Sequence, residues 1–296
     1  MDKISKIGSY RNGNYNVTIY GDGTKVREND LDFFKADFPE SFDYKVTNRC
    51  DRGCHACHEM STPDGEHGDI MGPDFVDLLH PYTEIAIGGG NPLCHPDLMA
   101  FLEKCKRLKL IPSMTVNQMH FMQRYSEIEE MINKNLIYGL GVSLITPSEE
   151  FIEKVKRIPN AVIHVIAGIN SLDSLEKLAN KGLKILILGY KNFGRGKTLY
   201  SRVSKYIDEA IQTYKDALPQ ILNWFEVVSF DNLAISQLDP KRLMTKEEYD
   251  TFFMGEDGFA TMYVDAVKKQ FAKSSTSTER YPVLPDIKDM FEKIRA

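Results

Sequence analysis

The feature that most limits how this chain can fold is a regular alternation of short apolar runs with amphipathic stretches. Apolar residues spaced three and four apart predict helices over 96–108, 125–133, 148–158 and 172–179. Successive apolar runs after the second recur about every 25 residues, the length of a right-handed crossover. We therefore predict an α/β fold with parallel strands curled into a partial barrel. The predicted strands, rich in branched or aromatic residues, are 42–47, 84–88, 113–117, 138–144, 162–167 and 184–189.

The two ends of the chain predict additions to this core. Alternating residues flank a Gly-Asp-Gly turn within 16–28, which predicts a β-hairpin. Residues 201–222 have the pattern of a long amphipathic helix, and strands are predicted at 223–230 and 260–267. Segment 271–279, with its Ser-Ser-Thr-Ser-Thr run, is typical of a linker or of a substrate-facing loop. The predicted division is an N-terminal β-hairpin appendage (1–40), a core (41–235) and a C-terminal α/β extension (236–296).

Composition limits the classes of function. A chain of 296 residues that is 42% apolar is long enough for one large α/β domain. Its net charge of −5 argues against general binding to nucleic acid or to anionic membranes. Residues 1–10 lack the apolar core of a signal peptide, and no run has the length of a membrane span. Five cysteines do not form a disulfide framework, so a reducing, cytoplasmic location is expected.

Three cysteines form a compact loop directly after the first predicted strand. Cys50, Cys54 and Cys57 have the spacing C-x3-C-x2-C. Three thiolates are one short of a closed tetrahedral site, and an open coordination position is what a metal centre needs for chemistry. Cys94 and Cys105 have no further thiol nearby in sequence, so we predict them to be buried spectators.

The cysteine spacing resembles the cluster-binding motif of the radical S-adenosylmethionine (SAM) superfamily, and the six βα units over 41–190 match its partial (βα)6 TIM-like barrel. The resemblance implies that Cys50, Cys54 and Cys57 hold a catalytic 4Fe-4S cluster. It also implies that a flavodoxin- or ferredoxin-like donor reduces the cluster. SAM is then cleaved to methionine and a 5′-deoxyadenosyl radical, which abstracts hydrogen from a substrate. Ala56 replaces the aromatic residue usual before the last cysteine, which leaves His55 and His58 as candidate adenine contacts.

Further cofactor contacts are predicted at the ends of the other strands. Gly88, Gly89, Gly90 and Asn91 follow the second strand and look like the family's Gly-Gly-Glu-Pro segment, which holds the ammonium group of SAM; Asn91 stands in place of the acid. The resemblance implies cofactor roles at three later strand ends as well. Ser143 is the candidate for the ribose hydroxyls, and a turn-forming role is equally compatible with Asn117. The residues at these three later strand ends are Asn117, Ser143 and Gly168.

The loop after the sixth strand carries three cations among glycines. Lys191, Arg195 and Lys197 are candidates for holding an anionic substrate group, although an ordinary exposed turn has the same composition. The loop is not a Walker motif. The chain shows neither a cysteine-rich C-terminal extension nor a basic domain, which favours a small-molecule or nucleotide substrate.

Two other classes use the same cysteines. A zinc-binding interaction module would recruit a fourth ligand, and a non-enzymatic iron-sulfur electron carrier would hold a cluster without binding SAM. The candidate fourth zinc ligands are His55, His58, His67 and His95.

Overall fold

The structure is a computed structural model that describes residues 5–296. Residues 1–4, which begin the stretch considered for a signal peptide, lie outside the described residues. Within residues 5–296, no helix combines the length and the apolar character needed to cross a bilayer.

The N-terminal segment forms a small antiparallel sheet of β1 (Lys6–Asn12), β2 (Tyr15–Tyr20) and β3 (Lys25–Glu28). The predicted hairpin is confirmed as β2 and β3. The third strand, β1, was not predicted from the sequence. The sheet is tied to the segment before the core by Glu40, which is fully buried. Arg27 donates to this carboxylate at 2.8 Å and the Tyr15 hydroxyl donates at 2.5 Å.

The large sheet contains the six predicted strands, each confirmed to within two residues at either end. They pair in parallel in sequence order, and the predicted seventh strand extends the sheet at one edge. The α/β class is therefore confirmed. These strands are β4 (Ser41–Thr47), β5 (Glu84–Gly89), β6 (Ile111–Asn117), β7 (Gly139–Ser143), β8 (Ala161–Ile166), β9 (Lys184–Leu188) and β10 (Val227–Phe230).

The C-terminal segment adds three strands at the other edge of the same sheet. The strand predicted at 260–267 is confirmed as β11 (Thr261–Asp265), which pairs in parallel with β4. It is followed by the antiparallel strands β12 (Gln270–Ala272) and β13 (Tyr281–Pro282). The segment expected to be a linker or substrate-facing loop therefore begins inside β12, and its Ser/Thr residues form the turn toward β13.

Helices connect the strands, and the four predicted between strands are confirmed. The helix predicted at 201–222 is longer, and its backbone departs from helical geometry at Val203. The helices are α1 (Asp74–Asp77), α2 (Leu98–Arg107), α3 (Gln118–Gln123), α4 (Tyr125–Asn133), α5 (Glu149–Lys156), α6 (Leu172–Glu176), α7 (Gly194–Trp224), α8 (Asn232–Leu238), α9 (Lys246–Phe252) and α10 (Ile287–Arg295).

The two faces of the large sheet differ in burial. Along β5, β8 and β9, fully buried apolar residues alternate with half-buried ones, the pattern of a sheet covered on one side only. The buried side packs into the main hydrophobic core, and we call the other side the open face. On β4 the open face carries Ser41, Asp43, Lys45 and Thr47, while Phe42 and Tyr44 are buried in the core.

The large sheet is curled. In strand order β10 and β4 are six steps apart, which corresponds to about 29 Å in a flat sheet. Asp43 of β4 and Phe230 of β10 nevertheless line one cavity of about 260 Å³. The two ends of the parallel run therefore approach each other across the open face.

Candidate active site at the carboxyl ends of the strands

The cysteine loop leaves the end of β4 and is closed by backbone hydrogen bonds. The Asn48 amide donates to Glu66 at 2.8 Å, and the Cys50 amide donates to Thr62 at 2.8 Å. Cys50 and Cys57 are half-buried, Cys54 is exposed, and all three are free thiols. Burial raises the pKa of the Cys50 thiol, and the neighbouring Cys54 and Cys57 raise it further. The three predicted ligands are therefore close enough to act on one another electrostatically.

The glycine turn after β5 lies directly against this loop. The Gly90 amide donates to the Thr47 carbonyl at 2.8 Å, and the Asn91 amide donates to the Arg49 carbonyl at 2.7 Å. Gly89 has φ +108°, and a Cβ at Gly89 or Gly90 would collide with these same carbonyls. A Cβ at Gly88 would meet no atom within 4 Å. The turn thus fits closely against the cysteine loop and leaves space only at Gly88.

Asn91, which stands where the family has an acid, points its side chain back to its own turn. Its Oδ1 accepts from the Leu93 amide at 3.2 Å, and the residue is buried. The Cys94 thiol donates to the Asn91 carbonyl at 2.9 Å. Cys94 is only half-buried, so the prediction of a buried spectator holds for Cys105 but is wrong for Cys94.

Three later strand ends lie in register on the open face. Asn117 pairs with Ser143, and Ser143 pairs with His164, so the three side chains form one row across β6, β7 and β8. The Asn117 side chain caps α3 by accepting from the Met119 amide at 2.9 Å, as the turn-forming interpretation predicts. Ser143 is half-buried. Its role in binding ribose hydroxyls stays a prediction.

His164 is a half-buried residue on the open face of β8. Its ring lies against Gly141, where an added Cβ would collide with it, and beside Thr115. Burial, with a smaller effect of Lys191, lowers the pKa of His164 to about 4. His164 therefore presents a neutral imidazole next to Ser143.

Gly168, the last predicted cofactor contact, packs against α7. It has φ +91°, and an added Cβ would lie 3.1 Å from side-chain atoms of Ile207 and Ile211. The close contact with α7 is thus sufficient to explain a glycine at this position. The cofactor role of Gly168 stays a prediction.

The three cations after β9 are separated by the fold. Lys191 points toward the open face, where its charge acts on Asp43 and His164, and its Nζ donates to Ser275 at 3.1 Å. The Arg195 side chain donates to backbone carbonyls of the cysteine loop. Lys197 is exposed on the first turn of α7. They do not form one anion-binding group, and only Lys191 faces the cavity region.

Two further contacts of the cysteine loop were missed from sequence. His120, buried in α3, lies 2.6 Å from Asp51 through Nε2, and this hydrogen bond lowers the pKa of Asp51 to about 2. Beside Cys57, the buried Lys45 lies 2.6 Å from Glu59 and 3.4 Å from Asp265 of β11. Each pair joins residues distant in sequence, so no local motif signals them.

The cavity at the meeting edges of the sheet is lined by three carboxylates. Asp43, Asp231 and Asp257 face it, together with Met254, Met262 and Ser274. Burial raises the pKa of Asp43 to about 6, with further contributions from the neighbouring acids and an opposing effect of Lys191. The cavity is therefore acidic on balance, with three carboxylates against Lys273 in its lining and Lys191 nearby.

Comparison with known proteins gives the fold a precedent. No protein-family model and no curated protein matches the chain. Among solved structures, it is similar to crystal structures of Streptococcus suis SuiB. The chain has the fold of SuiB. SuiB bound to S-adenosylmethionine superposes with a TM-score of 0.60 at 12% identity, over 99% of this chain and 85% of SuiB. A second SuiB structure gives a TM-score of 0.61 at 12% identity, over 100% and 88%.

A third SuiB structure, bound to precursor peptide SuiA, gives a TM-score of 0.55 at 14% identity and covers 87% of this chain. The present chain spans 61% of that SuiB chain. The fold of this chain thus occurs in a protein whose crystal structure holds S-adenosylmethionine. At this level of identity the likeness concerns the fold, and the chemistry depends on the residues of the site.

Proposed function

We propose that the chain is a radical SAM enzyme that abstracts hydrogen from its substrate. The observation that carries the proposal is the position of the cysteine loop. Three thiols lie in one short loop after the first strand of a curled parallel sheet, and the loop is bonded to a glycine turn after the second strand. The fold shared with SAM-bound SuiB supports it. We infer that the curled sheet is the partial (βα)6 barrel of that superfamily.

Cys50, Cys54 and Cys57 would hold the 4Fe-4S cluster, since three adjacent free thiols supply its ligands and leave one iron open. When bound and reduced, the cluster supplies the electron that cleaves SAM to methionine and a 5′-deoxyadenosyl radical. The chain's own task is to bind and orient these groups and to exclude side reactions. A flavodoxin- or ferredoxin-like donor and a cytoplasmic location belong to the proposal, because such thiolates need a reducing compartment.

The SAM site would lie between the glycine turn and the row of open-face side chains. The space at Gly88 lets a ligand approach the backbone, where carbonyl groups can accept from an ammonium. Asn91 would act through its main chain, because its side-chain oxygen is bonded within the turn. Ser143, with Asn117 and Gly168 at neighbouring strand ends, would face the nucleoside.

The charge of the cavity favours a neutral or cationic substrate over a nucleotide. Asp43, Asp231 and Asp257 surround it, while Arg195 is committed to the cysteine loop. A polyanionic phosphate group would be repelled by these three acids, which outnumber the opposing cations Lys273, in the lining, and Lys191, nearby. Among small molecules and peptides, those that carry an amine or no charge fit this lining. SuiB, which binds a precursor peptide, has the same fold.

The zinc alternative is disfavoured by the histidines it would need. His95 is buried, with its Nε2 2.8 Å from the Gly68 carbonyl and its Nδ1 accepting from the Asp97 amide. His67 Nδ1 lies 2.9 Å from the Thr47 hydroxyl, and His58 Nε2 pairs with Glu59 at 3.3 Å. Only the fourth candidate, His55, is exposed and has no such bond among the described residues.

The test is to reconstitute the protein without oxygen, record visible and EPR spectra after dithionite, and then quantify 5′-deoxyadenosine after SAM is added. We expect a brown protein whose reduced EPR signal changes on SAM binding and which releases 5′-deoxyadenosine. Cys54→Ala should abolish that release, while Cys105→Ala, in the core away from the loop, should retain it. A colourless protein with one zinc refutes the proposal. A brown protein that ignores SAM indicates an electron carrier.

A further inference from the structure

Arg195, at the start of α7, is bonded to the cysteine loop at three separate points. Its amide donates to the Cys57 carbonyl at 3.1 Å. Its guanidinium donates to the Cys54 carbonyl through Nε at 2.9 Å and to the Ser61 carbonyl through Nη1 at 3.0 Å. Arg195 thus holds the loop from Cys54 to Ser61.

The backbone around Arg195 is shaped for this contact. Gly194 has φ +53°, and an added Cβ would collide with the His58 carbonyl. A Cβ at Gly196 would collide with the Lys191 carbonyl, and the Tyr190 hydroxyl donates to Gly196 at 2.6 Å. Glycine on both sides therefore lets α7 begin directly against the loop, and the fold fixes where the guanidinium lies.

The bonds to Arg195 set the direction of two peptide groups. In a trans peptide the N–H points opposite to the C=O. Because the Cys54 and Cys57 carbonyls face Arg195, the amides of His55 and His58 point away from it. Within residues 5–296 neither amide donates to a protein acceptor. Free amides that point away from a cation are donors suited to an anion on the side of the loop opposite Arg195.

Arg195 also acts on the thiols through its charge. Its guanidinium is hydrogen-bonded to the Cys54 carbonyl, which places a positive charge beside the second cysteine. A positive charge and free amide donors next to cysteine ligands favour the more negative, reduced state of an iron-sulfur cluster. Both effects stabilise added negative charge at the cysteines.

We propose that Arg195 is the positioning residue of the cluster loop, which shapes the loop for metal binding and raises the reduction potential of the bound cluster. This inference rests on the proposed function. It assigns Arg195 to the cluster loop instead of to an anionic substrate group, and it gives the loop after β9 a purpose in cofactor retention.

The test compares Arg195→Ala and Arg195→Lys with Lys197→Ala, which removes an exposed cation from the same turn of α7. Three quantities are measured: the thermal unfolding of each apoprotein, the rate of iron loss from the reconstituted protein to a chelator, and the cluster midpoint potential from an EPR-monitored titration. We expect Arg195→Ala to lose iron about 10- to 100-fold faster than wild type. Its midpoint potential should shift to a more negative value.

Arg195→Lys separates the charge from the geometry. A lysine keeps the positive charge but lacks the fork that reaches Cys54 and Ser61 together, so iron loss should quicken while the potential stays near that of wild type. If both Arg195 variants match Lys197→Ala in iron loss and potential, the inference is wrong although the proposed function stands. If both apoproteins unfold, the role is general scaffolding and the inference is also wrong. A wild type that binds no 4Fe-4S cluster overturns both proposals.

Discussion

The acidic cavity predicts that one of its carboxylates lowers the stability of the protein. Asp43 lies on the open face of β4, with the charges of Lys191, Asp257, Glu59 and Asp231 acting on it. The Asp43 side chain is surrounded by protein but is exposed to water through the cavity. It has no hydrogen-bond or ion-pair partner among residues 5–296. Burial and the nearby acids raise the pKa of Asp43 from 3.8 to about 6.

The magnitude follows from this shift. A rise of roughly two pKa units corresponds to about 3 kcal/mol of destabilisation of the charged form. Because the Asp43 side chain is exposed to water in the cavity, screening reduces this to about 1 kcal/mol. The folded state holds the proton more tightly than the unfolded state, so the free energy of unfolding falls as pH rises from about 4 to 6. The penalty is absent below pH 4 and complete above pH 6.

Asp43→Asn removes the penalty without changing side-chain volume. We expect the variant apoprotein to exceed wild type in free energy of unfolding by about 1 kcal/mol at pH 8, with the difference vanishing toward pH 4. Urea denaturation at pH 8, 6 and 4.5 measures it, and Asp32→Asn, at an exposed position between β3 and β4, is the matched control. A variant less stable than wild type at pH 8, or a difference that does not depend on pH, would refute the reasoning.

Three other substitutions, with one control, test the cysteine loop and the residues that contact it. Gly90→Ala places a methyl group against the Arg49 carbonyl and should displace the loop, so iron retention falls and unfolding costs about 1–3 kcal/mol less. Gly88→Ala meets no atom within 4 Å and should fold normally yet weaken SAM binding in equilibrium dialysis; equal behaviour of the two variants would contradict this. Lys45→Met leaves Glu59 and Asp265 without their cation and should cost about 3–5 kcal/mol in urea denaturation, whereas the exposed Lys268→Met should cost little. A small effect at Lys45 would show that the buried acids find other partners.

The strands of the core could be predicted because their signal is local. Ile85 and Ile87 alternate with half-buried residues along β5, and such alternation specifies a strand whatever it pairs with. The pairing of β11 with β4 could not be predicted, because it joins positions more than 200 residues apart in sequence. Register between distant parallel strands depends on packing that no short pattern encodes.

The site shows the same division. Cys50, Cys54 and Cys57 are close in sequence, so their spacing alone indicates a shared ligand. Arg195 was predicted to bind an anion because cations near glycines at strand ends often do. Its actual acceptors are backbone carbonyls, which every residue carries and which leave no signature in the sequence.

The buried charges near Cys57 make the C-terminal strand part of the same cooperative unit as the cysteine loop. Lys45 of β4 is buried, and burying it is tolerable only with both of its carboxylate partners in place. Glu59 belongs to the loop, Asp265 belongs to β11, and the Tyr263 hydroxyl of β11 donates to Glu59 at 3.2 Å. Met262, next to Tyr263 on β11, lines the cavity. Moving β11 away from the cavity, or disordering the cysteine loop, would therefore break the same buried ion pairs of Lys45. The C-terminal extension is therefore coupled thermodynamically to the site that it borders.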